Sequence, residues 1–322
     1  MMRPLWKDML AALVMGLIVP GLFLNTVSLL MNSKEKPIYS EAPAETSEQL
    51  SGLTMRLHNP DGTVSEMDMD RYLLRVLLAE VPAEFEAEAL KAQAVAARTY
   101  TRKAWESGGK HGDGSVCTKA SCCQAYITEE EYLLQGGSQE GIDKMRDAVS
   151  STSGQVLLYE DVLIEATYFS CSGGSTEDAA AVWGCDYPYL QAVKSPGEEN
   201  AAHFTDTASF SLQQFQNALG IMLPEDAEDW IGPVFYTEGG GVAEIEIGGE
   251  LFTGIQIRNL LGLRSTNFVI TAGDNITITT KGYGHRVGMS QYGADAMAVA
   301  GSTYEEILKH YYQGTVLAEL KA

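Results

Sequence analysis

Basic residues are scarce in this chain. Its 22 Lys and Arg face 43 Asp and Glu, for a formal net charge of -21. No stripe of positive charge remains to neutralise phosphates, which excludes a nucleic-acid partner. A polymer such as a glycan would have to be held by hydrogen bonds and aromatic rings, which 15 Tyr and 4 Trp can supply. Cysteine is also sparse and odd in number: the five stand at 117, 122, 123, 171 and 185, so disulfides cannot account for all of them. With 322 residues and 45% hydrophobic composition, the chain is long enough to bury a core without covalent staples.

One long charge-free run is present, from Met9 to Met31, preceded by Arg3 and Lys7. As a helix rising about 1.5 Å per residue it would reach about 34 Å, enough to span a bilayer. It has no convincing small-residue cleavage site, so residues 8–31 are expected to be an uncleaved transmembrane anchor, with the tail 1–7 in the cytoplasm. The polar, proline-containing stretch 32–50 is a tether, and 51–322 is the extracytoplasmic folded region.

The folded region is organised around DRYLLRVLLAEVPAEFEAEALKAQAVAARTYTRKAW, residues 70–105. If Asp70 caps a helix, Leu73, Leu74, Val76, Leu77 and Leu78 recur at helical spacing, and Glu80 falls on the same apolar face. A carboxylate there loses solvation. It either finds a partner, for which Arg98 is a candidate, or holds its proton to higher pH, as a general acid must. Pro82 biases Val81 out of helical geometry, so the helix should end just after Glu80 and leave the acid at a break. A second helix follows, stopped by Gly108-Gly109, with alanines at 92, 94, 96 and 97 that let another element approach closely.

Further along, GGKHGDGSVCTKASCCQAY brings His111, Cys117, Cys122 and Cys123 into one glycine-rich loop. Imidazole and thiolates on a short loop suit tetrahedral zinc, although the spacing is not that of a CxxC knuckle; free thiols in a surface loop are the alternative. SCSGGSTEDAAAVWGCDYPYLQAVKSPGE offers Ser172, Ser175 and Thr176 as neutral partners for sugar hydroxyls beside Gly173-Gly174, or else it is a plain Gly-Ser turn. GYGHRVGMSQYGADAMA sets His285, Ser290 and Gln291 among glycines. Cys171 and Cys185 are expected to form a disulfide across their loop.

AEVPAEFEAEALKAQAVAARTYT resembles the signature of the stage II sporulation protein D family of peptidoglycan lytic transglycosylases, and the two later motifs match in the same order. The resemblance implies that Glu80 is the catalytic acid. It strengthens the zinc reading for His111, Cys117, Cys122 and Cys123, since some family members bind zinc in this loop. It also implies a substrate groove whose expected contacts are Arg98, Ser172, Gly173, Gly174, Thr176, Tyr189, Lys194, His285, Ser290, Gln291 and Tyr292. Arg286 departs from the glycine common there.

The implied activity is cleavage of the β-1,4 bond between N-acetylmuramic acid and N-acetylglucosamine, with a 1,6-anhydro product. The implied setting is septal peptidoglycan during engulfment in an endospore-forming bacterium, at the mother-cell membrane. Implied partners are glycan strands stripped of stem peptides, the amidase stage II sporulation protein P, and membrane engulfment proteins. A zinc-dependent amidase or peptidase and a non-catalytic glycan-binding module are the alternatives.

The expected fold is α+β: a helical lobe carrying Glu80, packed on a mixed β-strand lobe with a substrate cleft between them. Strand pairs are predicted around Pro60-Asp61-Gly62, Glu160-Asp161 and Asp274-Asn275, with a strand before and a helix after Gly248-Gly249. Residues 200–235 read as helix and loop, and Ser302 with Glu305 as the capping box of a last helix. From the charge-free run and its basic flank, full-length chain is expected in the membrane fraction; recovery of a soluble form cleaved near residue 31 would contradict the anchor.

Overall fold

The computed structural model describes residues 52–223, 230–273 and 275–320, all within one compact unit that begins at Leu50. The expected anchor and tether, residues 1–50, lie outside the described residues, among which no helix is long and apolar enough to cross a membrane.

The described chain opens with Thr54–His58 (β1) paired antiparallel to Val64–Asp68 (β2), while Val116–Cys117 (β3) adds in parallel on β1's other side. Helix Met69–Glu80 (α1) follows. Its cap is Asp68 rather than Asp70: the Asp68 side chain accepts from the Arg71 N–H at 3.0 Å. Asp70 sits inside the first turn, where it pairs with Arg98 Nη2 at 3.1 Å and accepts from Ser153 Oγ at 2.6 Å. The apolar face of α1 is dry, with Leu73, Val76 and Leu77 fully buried. The helix stops at Glu80 because Val81, forced extended ahead of Pro82, has φ -133 and ψ 147.

Helix Ala87–Ser107 (α2) is the central strut and ends at Gly108, whose φ of 84 a side chain would resist. It packs against α1, Gln139–Ser151 (α4), Gln291–Val299 (α8), Tyr304–Tyr311 (α9) and strand Gln155–Tyr159 (β4). Ala92, Ala94, Ala96 and Ala97 are all fully buried, which lets these neighbours approach closely. A short helix, Glu129–Leu134 (α3), lies against α1. β4 carries Val162–Leu163 (β5) on one side and Val316–Glu319 (β14) on the other, both antiparallel. Tyr168–Phe169 (β6) pairs in parallel with Met289–Ser290 (β13), bringing the second and third motifs side by side. These elements and Ala179–Trp183 (α5) surround one hydrophobic core.

A separate core lies under two antiparallel sheets. In one, Ile276–Lys281 (β12) is flanked by Phe268–Thr271 (β11) and Thr205–Phe210 (β7); in the other, Val242–Ile247 (β9) is flanked by Ile231–Tyr236 (β8) and Glu250–Thr253 (β10). Helices Leu212–Leu219 (α6) and Gly254–Leu261 (α7) close this core.

The mixed α+β class stands, but its division differs from the expected one. The first core takes strands as well as helices, so a helical lobe is not set against a strand lobe. β7, β8 and β14 were absent from the sequence reading, and the last capping box is Thr303 with Glu306, one residue later than expected. Such shifts arise because neighbouring Ser and Thr serve a helix end almost equally well.

Candidate active site

Glu80 occupies the last turn of α1, where the apolar face meets a cleft. Its Oε1 accepts the Ala125 backbone N–H at 2.7 Å. Burial raises its pKa above the ordinary carboxylate value; the Ala125 N–H and the nearby Gln291 amide offset part of that rise. Gln291 Nε2 is itself buried and lacks a partner of full hydrogen-bond geometry among the described residues. Among the described residues, no cation is paired with Glu80 where it lies at the cleft.

Arg98, the candidate partner from sequence, serves elsewhere. It is fully buried, and it donates to the Thr152 and Val149 carbonyls at 2.8 and 3.1 Å as well as to Asp70. It ties α1 and α2 to the end of α4 and is out of reach of any substrate.

Two hollows meet at Glu80. The larger, about 920 Å3, runs past Tyr100, the Lys110–Ala125 loop, Thr167 to Ser170, Trp183 and Tyr283. The smaller, about 290 Å3, lies beyond the break, over Val81, Pro82, Phe85 and Tyr292. Ala79, Glu80, Ser170, His203 and Gln291 border both. The acid thus stands partway along a continuous groove. Trp183 and Tyr283 expose ring surface at the larger end, 38% and 42% accessible, and Phe85 meets Tyr292 edge-on at 5.1 Å at the smaller.

The wall behind Glu80 is fixed by Gln124. Its Nε2 donates to Tyr72 and Thr101 hydroxyls, each at 3.0 Å, and its Oε1 accepts from Tyr168 at 2.9 Å. With that side chain satisfied on three sides, the next residue's N–H is held on the Glu80 carboxylate.

Of the expected groove residues, the structure brings His285, Gln291 and Tyr292 to the groove. His285 is a wall rather than a titrating group. Burial and the charge of Arg258 depress its pKa to about 4, its Nδ1 accepts the Val287 N–H at 3.2 Å, and its ring packs on Phe169 and Trp183. Ser290 is buried as the N-cap of α8, accepting from the Gly293 N–H.

The Ser172–Thr176 segment turns inward. Glu198, buried, collects the Cys171 thiol, the Ser172 hydroxyl and the Ser172 and Gly173 N–H groups, the last three at 3.0, 2.7 and 3.2 Å. Thr176 Oγ1 accepts the Val193 N–H at 2.8 Å. Gly173 passes so close to β12 that a Cβ would meet the Lys281 carbonyl carbon at 2.7 Å. Gly174, Tyr189 and Lys194 also lie outside both hollows; the Tyr189 hydroxyl accepts the Glu165 N–H at 3.0 Å. These residues support the groove wall through Phe169 and Ser170 instead of lining it.

The expected Cys171–Cys185 disulfide is absent. Both thiols are free: Cys171 is buried against Glu198, and Cys185 is exposed on the rim of the larger hollow. Arg286 also resolves. Its φ of 66 is a glycine-like conformation, held because its buried guanidinium bonds Glu177 at 2.8 Å and the Ser172, Ser175 and Gly239 carbonyls. Such strain costs about 1–3 kcal/mol and persists only where surroundings over-determine it.

His111, Cys117, Cys122 and Cys123 do converge, their ligand atoms all within 4.8 Å of one another. His111 Nε2 lies 3.8 and 3.6 Å from the sulfurs of Cys122 and Cys123, which are 3.8 Å apart. A tetrahedron with Zn–S about 2.3 Å and Zn–N about 2.0 Å puts two sulfurs about 3.8 Å apart and nitrogen and sulfur about 3.5 Å apart. His111, Cys122 and Cys123 therefore fit zinc, and Cys117, within 4.8 Å of them, would complete a tetrahedral set. Cys122 and Cys123 form part of the cleft wall, directly before Gln124 and Ala125.

Sequence reasoning missed Ala125, Ser170 and His203. A backbone N–H leaves no side-chain signature, and His203 lies in a stretch whose pairing with Tyr283 and Arg264 is long-range.

The raised pKa of Glu80 has a consequence for stability. Its protonated form is favoured by folding, so this contribution is full below the unfolded value and is lost as pH rises through the folded one. Glu80→Gln is accordingly expected to gain stability relative to the parent as pH is raised from about 4 to about 8. Denaturant melts across that range check it, and a constant difference would contradict the raised pKa.

The stage II sporulation protein family pattern matches residues 59–159 of the chain, which include Glu80 and all four metal-type donors. Stage II sporulation protein D of Bacillus amyloliquefaciens is 40% identical over 263 residues, 80% of this chain and 76% of that protein. That of Bacillus subtilis is 40% identical over 266 residues, 81% and 77% of the two chains. A Bacillus subtilis protein named amidase enhancer is 29% identical over 296 residues, covering 75% of this chain but 39% of its own length. With its helix break and acid on the segment that carries the family pattern, the chain belongs to the stage II sporulation protein D family.

Proposed function

We propose that this protein is a peptidoglycan lytic transglycosylase acting on septal glycan during sporulation. The observation that carries the reading is Glu80: a carboxyl with a raised pKa, unpaired with any cation among the described residues, midway along a groove with aromatic rings at either end. Glu80 delivers its proton to the glycosidic oxygen as the bond from the muramic C1 breaks. As a carboxylate it then takes the proton of the muramic C6 hydroxyl while O6 bonds to C1, closing the 1,6-anhydro ring. An ordinary glycoside hydrolase would need a second carboxylate to act on C1 or on water. The other acid on the groove wall, Glu165, is committed to Lys103 at 3.3 Å.

The reading includes a zinc ion held by His111, Cys117, Cys122 and Cys123. When bound, it supplies a structural cross-link. The chain's own part is to hold the 110–125 loop so that the Ala125 N–H meets Glu80. Four protein donors leave no open position for a metal-activated water, which separates this arrangement from a zinc amidase or peptidase. Anchoring at the mother-cell membrane, glycan stripped of stem peptides, and work beside the amidase stage II sporulation protein P and the membrane engulfment proteins complete the proposal.

Glu80→Gln is expected to keep the fold and glycan binding while cleavage falls about 100-fold or more. Glu165→Gln is expected to retain most activity. Mass analysis of digested glycan decides: anhydromuramic ends released by Glu80→Gln at the parent rate would end the assignment. Metal analysis of the purified chain should find about one zinc, reduced by Cys117→Ser. An unchanged content would remove zinc from the reading.

A further inference from the structure

His203 has no place in the chemistry above, yet it borders both hollows at the level of Glu80. It arrives from the segment just before β7, on the side of the second core. Its ring meets Tyr283 edge-on, centroids 5.2 Å apart, and Arg264 Nη1 lies 2.7 Å from its Nδ1. Arg264 is itself placed by Asp206 at 3.1 Å and by the Tyr283 ring. A guanidinium can only donate, so Nδ1 is the acceptor and the neutral ring carries its proton on Nε2. That N–H has no partner among the described residues. On the same stretch of groove, Gln291 Nε2 is buried without a partner of full hydrogen-bond geometry, its amide near enough to Glu80 to lower that group's pKa.

Two side-chain N–H donors without a full hydrogen-bond partner among the described residues thus border the groove where Glu80 does. A sugar hydroxyl placed there would accept from them but would bring a proton of its own in need of an acceptor. An amide carbonyl oxygen has two lone pairs and no proton, so it can take both donors at once. We propose that His203, oriented by Arg264, joins Gln291 in binding the carbonyl of a 2-acetamido group beside the scissile bond, making His203 a specificity-determining residue for N-acetylated sugars. This rests on the glycan reading of the groove and names which sugar substituent the groove selects.

The test uses the Glu80→Gln chain, so that cleavage does not intervene, and measures binding by calorimetry of two probes: the β-1,4 tetramer of N-acetylglucosamine and that of glucose. The acetamido tetramer is expected to bind at least about threefold more tightly, the scale of one neutral hydrogen bond. Adding His203→Phe, which keeps a ring against Tyr283, should weaken that probe about threefold to tenfold and leave the glucose tetramer unchanged. Adding His203→Gln, whose Nε2 can donate from nearly the same place, should restore most of the loss. Equal affinity for the two tetramers, or an acetamido tetramer indifferent to His203→Phe, overturns the proposal while leaving cleavage through Glu80 intact. Failure to bind either tetramer tells instead against the glycan reading. If His203→Phe does not fold, the Nε2 resonance in 15N-labelled Glu80→Gln protein should shift on adding the acetamido tetramer; an unmoved resonance overturns the assignment.

Discussion

The site depends on one backbone hydrogen bond. Ala125 N–H meets Glu80 at 2.7 Å at the end of a helix whose other inward residues are apolar. A carboxyl there without any donor would hold its proton too tightly to give it up. With a cation at contact distance it would stay ionised and could not give one. Neutral N–H donors, Ala125 foremost with the Gln291 amide nearby, leave the pKa raised but the ionised form accessible, which suits the acid-then-base role proposed for it.

Much of the surrounding structure serves to hold that donor. Gln124, the residue before it, is pinned by Tyr72 from α1, Thr101 from α2 and Tyr168 from β6. On the other side of Gln124, Cys122 and Cys123 belong to a four-donor cluster with zinc-like spacing. Arg98, buried and bonded to Asp70 and to the α4 carbonyls, fixes the two helices whose meeting defines the corner. Removing one partner of such a buried ion pair is costly, because the other is left unsolvated. Its role is in the architecture.

The Glu198 and Arg286 networks do the same on the far wall. Glu198 gathers the Ser172–Gly173 turn, and Arg286 fastens it to the 239–241 segment next to the second core. Hydroxyls that suit sugars by chemistry are consumed here by a buried carboxylate. The exposed aromatic rings and the His203 edge are left to meet a ligand.

Several features were legible in the sequence because they are local. The apolar period and the Pro82 break put Glu80 at a helix end with no knowledge of the rest of the chain. Hairpins at Pro60-Asp61-Gly62 and Glu160-Asp161, the stop at Gly108, and the clustering of His111 with three cysteines follow from short-range backbone and spacing rules. The mixed α+β class came from the same patterns. Only the tertiary structure decided what depends on groups distant in sequence. Examples are Arg98 going to Asp70 rather than Glu80, Ser172 to Glu198 rather than the groove, and Cys171 to burial rather than a disulfide. The Ala125 N–H and the His203–Arg264 contact were hidden for the same reason. Spacing along a chain says which groups can share a helix face or a loop, whereas partners across the fold are chosen by packing.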